Sequence, residues 1–104
     1  MEKNTFGVIG LAKRAGKLAA GTENALEAIR KHKAKLVLVC ADVSDNTKKA
    51  LSDKSAFYGV KCEQTDASMA EVGRSIGKKS CAAIAFTDDN FVTAYRKSLT
   101  ADNT

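Results

Sequence analysis

At 104 residues, with 44% apolar and 28% charged side chains, the chain has the length and composition of one compact domain with one modest core. No apolar run approaches the ~20 residues a helix needs to cross a bilayer. Residues Met1 to Thr5 also lack the charged, apolar, small order of a secretory signal, so a cytoplasmic protein with no membrane partner is expected. The net charge of +5 lies entirely in the first third: residues 1–35 hold eight Lys/Arg against three Asp/Glu, and residues 36–104 hold nine of each. That bias favours a polyanionic partner, because each phosphate neutralised by a Lys or Arg releases condensed counterions.

In chain order, Thr5 to Ala15 reads as a short helix. Phe6, Ile9 and Ala12 share one side, Val8 and Leu11 are buried nearby, and Gly16 is the stop. Lys17 to Ala20 fits a short edge strand. Gly21 then precedes a second helix in which Ala25, Leu26, Ala28 and Ile29 form the apolar stripe, ending near His32. Lys35 to Ala41 is an unbroken apolar run rich in β-branched residues, as expected of a central strand covered on both faces. Ser44 or Asp45 opens a helix through about Phe57, with Ala50, Leu51 and Phe57 turned inward.

Val60, Cys62 and Gln64 alternate as a shorter strand, and Ser68-Met-Ala-Glu71 matches a capping box ahead of a helix buried through Met69, Val72 and Ile76 and ended by Gly77. Cys81 to Phe86 is another buried strand. Thr87, Asp88 and Asp89 cap a last helix carrying Val92, Tyr95 and Leu99. Strands separated by helices predict a single domain over residues 1–104, a three-layer α/β/α sandwich around a small mixed sheet, with a frayed tail after about Leu99.

Several catalytic and cofactor motifs fail on spacing. Gly73 to Ser80 has three residues between its glycines where a phosphate loop needs four, and its helix precedes the Gly-Lys pair. Gly7-Val-Ile-Gly10 lacks the strand and third glycine of a dinucleotide turn. His32, the sole histidine, lies between Lys31 and Lys33, so neither a triad nor a Cys/His metal cage assembles. Cys40, Cys62 and Cys81 are spaced as small core residues. No catalytic residue, metal, cofactor or small-molecule substrate is expected.

The stretch richest in binding chemistry is Lys17 to Asn24. Thr22 can cap the helix, Gly21 lets the backbone approach a partner, and the first-turn N–H groups carry partial positive charge. Glu23 and Asn24 are side-chain types able to read base edges. The same residues also make a plain helix start. Lys13-Arg14, Lys17, Arg30-Lys31, Lys33 and Lys35 bracket this start in sequence. In an open α/β sheet the loops after strand carboxyl ends gather on one edge, so Asp42 to Ser44 and Asp66 to Met69 are expected to adjoin. There Ala67 and Met69 could pack on an unstacked base, or Met69 could simply fill the core.

As an ordered set, Lys17-x-x-x-Gly21-Thr22-Glu23-Asn24, the strand Ala34 to Asp42, and Ser68-Met69-Ala-Glu-Val72-Gly73-Arg74-Ser-Ile-Gly77 resemble the kink-turn RNA-binding ribosomal proteins of the L7Ae and L30e type. They are most similar to the short bacterial YlxQ-type members, over about Phe6 to Leu99. The resemblance implies a non-enzymatic α/β/α protein that binds kink-turn or related folded RNA, ribosomal RNA included. In that family, Asn, Glu and, three residues on, Lys read sheared G·A pairs, at positions held here by Glu23, Asn24 and Glu27. A loop matching Thr65, Asp66, Ala67, Ser68 and Met69 surrounds an extruded nucleotide. Glu27 puts an anion where the family has a cation. Phosphate contacts through Lys17, Arg30 and Lys31 are therefore expected to outlast kink-turn specificity. The alternative from another class is a protein-interaction adaptor of the same fold.

Overall fold

In the computed structural model, which describes residues 1–101, short helices and strands alternate along the chain. They are α1 (Lys3–Arg14), β1 (Leu18–Ala20), α2 (Thr22–Arg30), β2 (Leu36–Val39), α3 (Asp45–Phe57), β3 (Cys62–Gln64), α4 (Met69–Ser75), β4 (Ala83–Phe86) and α5 (Asp89–Ala101). The sheet order is β1-β4-β2-β3. β4 runs antiparallel to both β1 and β2, and β2 runs parallel to β3, so the sheet is mixed as expected.

Every residue of β2 and β4 is buried, which is why both read as continuous apolar runs rather than as alternating strands. Helix α1 packs on both α4 and α5, and α2 packs on α3, giving three layers. Ile9, Ile29, Leu36, Leu38, Leu51, Ile84 and Phe86 form the centre of the core. The close approach of α4 to the turn before β4 depends on Gly73. A Cβ there would lie 2.6–2.9 Å from backbone atoms of Ser80.

Local signals placed most helix ends. Ser44 is the N-cap of α3, its Oγ accepting from the Thr47 N–H. At α4 the capping box is complete: Ser68 Oγ accepts from the Glu71 N–H, and Glu71 Oε1 accepts from the Ser68 N–H at 2.9 Å.

Several side chains depart from the expected pattern. Ala50 is exposed and Phe57 is 82% exposed, because the inward stripe of α3 runs through Leu51, Ser55 and Tyr58. A serine on that stripe hides the helical period, which makes the neighbouring apolar residues look buried. Leu11, expected inside, is 55% exposed on α1, while Thr5 is fully buried, its hydroxyl 2.9 Å from that of Ser98. Leu99 lies at the surface boundary. Thr100 and Ala101 prolong α5 past the expected start of the tail, whose remainder lies outside the described residues.

Candidate functional site

The strand directions gather four chain segments on one edge of the sheet. β1, β2 and β3 end there and β4 begins there. Backbone hydrogen bonds then join these tips. The Gly21 N–H donates to the Ala83 carbonyl at 2.8 Å, Cys40 N–H to Ala82 at 2.9 Å, Ala41 N–H to Ala67 at 2.9 Å, and Cys81 N–H to Met69 at 3.0 Å. The mouth of α2 and the loop before α4 therefore form one rim, although more than forty residues separate them in sequence.

Gly21 occupies φ +98°, ψ 157°, a region essentially reserved for glycine, and this conformation aims the chain from β1 into α2. It corrects the expected cap: Gly21 is the N-cap, Thr22 is the first helical residue, and no side chain caps the helix. The first-turn N–H groups thus keep their partial positive charge at the rim. Asn24 is held in place, its Nδ2 donating to the Ala20 carbonyl at 2.8 Å, which leaves its Oδ1 and second N–H for a partner. Glu23 is exposed beside it.

Across the rim, the expected meeting of Asp42 with the 66–69 loop is present. Asp42 Oδ1 accepts from the Met69 N–H at 2.8 Å, satisfying an orphan donor of α4. Thr65 Oγ1 accepts from the Ala67 N–H, closing the loop on itself. Asp66 pairs with the terminal ammonium of Met1 at 2.7 Å, and that contact holds its carboxyl below the usual carboxylate range. Ala67 requires correction. It is 1% exposed, so its methyl group belongs to the core and cannot pack on a base; only its backbone serves the rim. Met69 is partly buried against the core, so the core-filling reading holds for part of its side chain. Ser44 is engaged with Thr47 at the start of α3.

A second feature adjoins the rim. Between the end of α1 and α2, along the free edge of β1, lies an open basin of about 670 Å³. Asn24 and Glu27 line it on the rim side, and Lys13, Lys17, Lys31, Lys33 and Lys35 line the rest. The fold thus converges lysines that are scattered over more than twenty positions of sequence. Arg30 is exposed at the end of α2 but does not line the basin. Glu27 is ion-paired with Lys31 at 2.6 Å, and Lys31, with smaller contributions from Arg30 and Lys33, holds its carboxyl below the ordinary range. The anion at position 27 is thereby masked by a cation one turn along the same helix.

The sequence reading missed an aromatic ladder that starts at His32 in the basin wall and leads through Tyr58 to Phe57. The Leu51, Ser55, Tyr58 spacing was the available signal, since it makes Tyr58 the inward residue and leaves Phe57 outside. Burial pushes the Cys40 thiol up to about 12, and burial also raises the Cys62 and Cys81 thiols, away from the depressed range of a reactive cysteine. Among the described residues no group of His, Cys, Asp and Glu could hold a metal ion, and no helix is long and apolar enough to cross a membrane.

Comparison with known proteins agrees with this geometry. The chain is 42% identical over 86 residues to the RNA-binding protein YlxQ of Bacillus subtilis (strain 168), covering 83% of this chain and 85% of that one. It is 47% identical over 76 residues to the RNA-binding protein YlxQ of Enterococcus faecium, covering 73% of each. Among solved structures, a protein of unknown function from Bacillus halodurans C superposes with a TM-score of 0.83 at 29% identity, over 92% of this chain and 96% of that one. The Giardia lamblia 15.5kD RNA binding protein shares the fold at a TM-score of 0.73 and 18% identity, over 88% of this chain and 78% of that one. Residues 3–94 match the profile of one family. The chain belongs to the ribosomal protein L7Ae/L30e/S12e/Gadd45 family.

Proposed function

We propose that the chain is a non-enzymatic RNA-binding protein of the cytoplasm, linked to the ribosome or to translation, that docks folded, kink-turn-like RNA against the rim. The observation that carries this reading is the backbone stitching of the α2 mouth to the 65–69 loop beside a lysine-lined wall. Base recognition needs donors and acceptors at fixed positions, and Asn24, tethered to Ala20, supplies them. Glu23 accepts from a guanine edge, the open N–H groups of the first turn of α2 from Thr22 onward face phosphate, and the exposed part of Met69 packs on an unstacked base. Lys17, Arg30 and Lys31 neutralise phosphates, ribosomal RNA being the natural partner class. Glu27 contributes through Lys31, whose ammonium its carboxylate holds next to Asn24's face of the helix.

Filter binding to a kink-turn RNA and to an unstructured strand of equal length tests the reading. The folded RNA should bind more tightly, and affinity should fall steeply between low and moderate salt. Asn24→Ala should cost about tenfold on the folded RNA and little on the strand. Equal losses on both would remove base readout. Partners that persist in pull-downs after nuclease treatment would favour a protein-interaction adaptor.

A further inference from the structure

Phe57 is 82% exposed, more than any other large apolar side chain among the described residues. Its ring centroid lies 5.1 Å from that of Tyr58 at 70°, and Tyr58 lies 5.3 Å from His32 at 72°. Tyr58 packs against the core, so it anchors two edge-to-face steps that lead from Phe57 to His32. His32 in turn lines the basin along the β1 edge. Four lysines of that basin, Lys13, Lys17, Lys33 and Lys35, form no ion pair with any acid among the described residues. The one carboxylate in the basin wall, Glu27, is held by Lys31.

We propose that the basin and the aromatic ladder form a second RNA contact, adjoining the rim and sharing Lys17 with it, that takes a single-stranded segment flanking the folded element. The phosphates lie among Lys13, Lys17, Lys33 and Lys35, and an unpaired base stacks on Phe57. This rests on the reading that RNA is the partner. Unopposed lysines and, two ring contacts away through His32 and Tyr58, an exposed ring are the two parts of a single-strand site: cations follow the backbone, while a π-face accepts any base. A duplex offers no free base face to the ring. The exposed apolar area, one ring at the end of the ladder, is small for a protein partner.

The test uses a labelled oligouridine and a kink-turn RNA made with and without a uridine tail. The oligouridine should bind, and Phe57→Ala should weaken it about tenfold. Phe57→Tyr should keep the binding, and Phe57→Leu should lose it. Replacing the four lysines by Gln should lower the salt slope for the oligouridine by about 0.7 per lysine. The tail should add affinity to the kink-turn RNA, and Phe57→Ala should remove that gain while leaving the tailless RNA unchanged. Circular dichroism and thermal melting confirm folding, which an exposed side chain should not affect.

A tail that adds nothing while the tailless RNA binds overturns the second contact and leaves the rim reading intact. Oligouridine binding that depends on Phe57 in a protein indifferent to kink-turn RNA supports the contact and removes the rim reading. A monomer–dimer equilibrium abolished by Phe57→Ala would assign the ring to a second copy of the chain and overturn the proposal.

Discussion

The rim and the basin share the helix α2 but are built in different ways. The rim is made of backbone: a glycine-only turn, carbonyl-to-amide stitches between strand tips, and capping side chains with their atoms already assigned. The basin is made of long side chains around the exposed edge of a three-residue strand. Hydrogen-bond readout loses its value if donors wander by a fraction of an ångström, whereas screened attraction to phosphate tolerates mobile ammonium groups. A rigid rim beside a flexible cationic wall thus divides recognition from affinity. Mutations should separate the two regions by their signature: stability and RNA selectivity for the rim, salt dependence for the basin.

The largest effect is expected from Gly73→Ala. Its methyl group would meet Ser80 backbone 2.6–2.9 Å away, and backbone cannot step aside as a side-chain tip can. Chemical denaturation should show a loss of about 3 kcal/mol. Because Cys81 is stitched to Met69, RNA selectivity should fall with it.

Gly21→Ala strikes the rim through strain alone. Nothing lies within 4 Å of the added carbon, but φ +98° is costly for any L side chain. About 2 kcal/mol of stability should be lost, or the turn should rearrange and folded-RNA binding fail. Retention of both would show that the mouth of α2 does not need this conformation.

Glu27→Lys sits on the border of the two regions, between Asn24 and Lys31. It exchanges an ion pair for a second cation, so affinity for kink-turn RNA should rise about tenfold and the salt slope should steepen. An unchanged affinity would place the phosphates away from this face of α2.

The smallest effect is a control remote from the basin. Arg96 grips Glu63 with two hydrogen bonds of 2.8 and 2.6 Å, tying α5 to β3. Arg96 holds the Glu63 carboxyl below its ordinary range, so the pair stabilises fully above the normal carboxylate pKa and loses its contribution as pH falls through the depressed one. Glu63→Gln should cost about 1 kcal/mol near neutral pH, and the difference from the wild type should shrink in acid. Oligouridine binding should not change.

Much of this architecture is legible from local chemistry. The Ser68 and Glu71 capping box, the Ser44 cap, and the two apolar runs that became β2 and β4 are each settled by atoms within a few residues. Where the reading failed, a residue type misrepresented its environment. Ser55 and Thr5 are fully buried polar residues, whereas Phe57 and Leu11 are exposed apolar ones. Thr22 looked like a cap until the backbone placed Gly21 there. Ala67 looked like a loop methyl group until the rim closed over it.

The chain by itself determined the alternation of elements, the polyanion bias of its first third and the residue types available at the mouth of α2, because propensity, capping and charge are properties of neighbours in sequence. Only the tertiary structure decided that the mouth meets the 65–69 loop, that Glu27 is masked by Lys31, and that five dispersed lysines share one basin ending in an aromatic ladder. Strand order and direction set these distances, and neither is encoded within any single element.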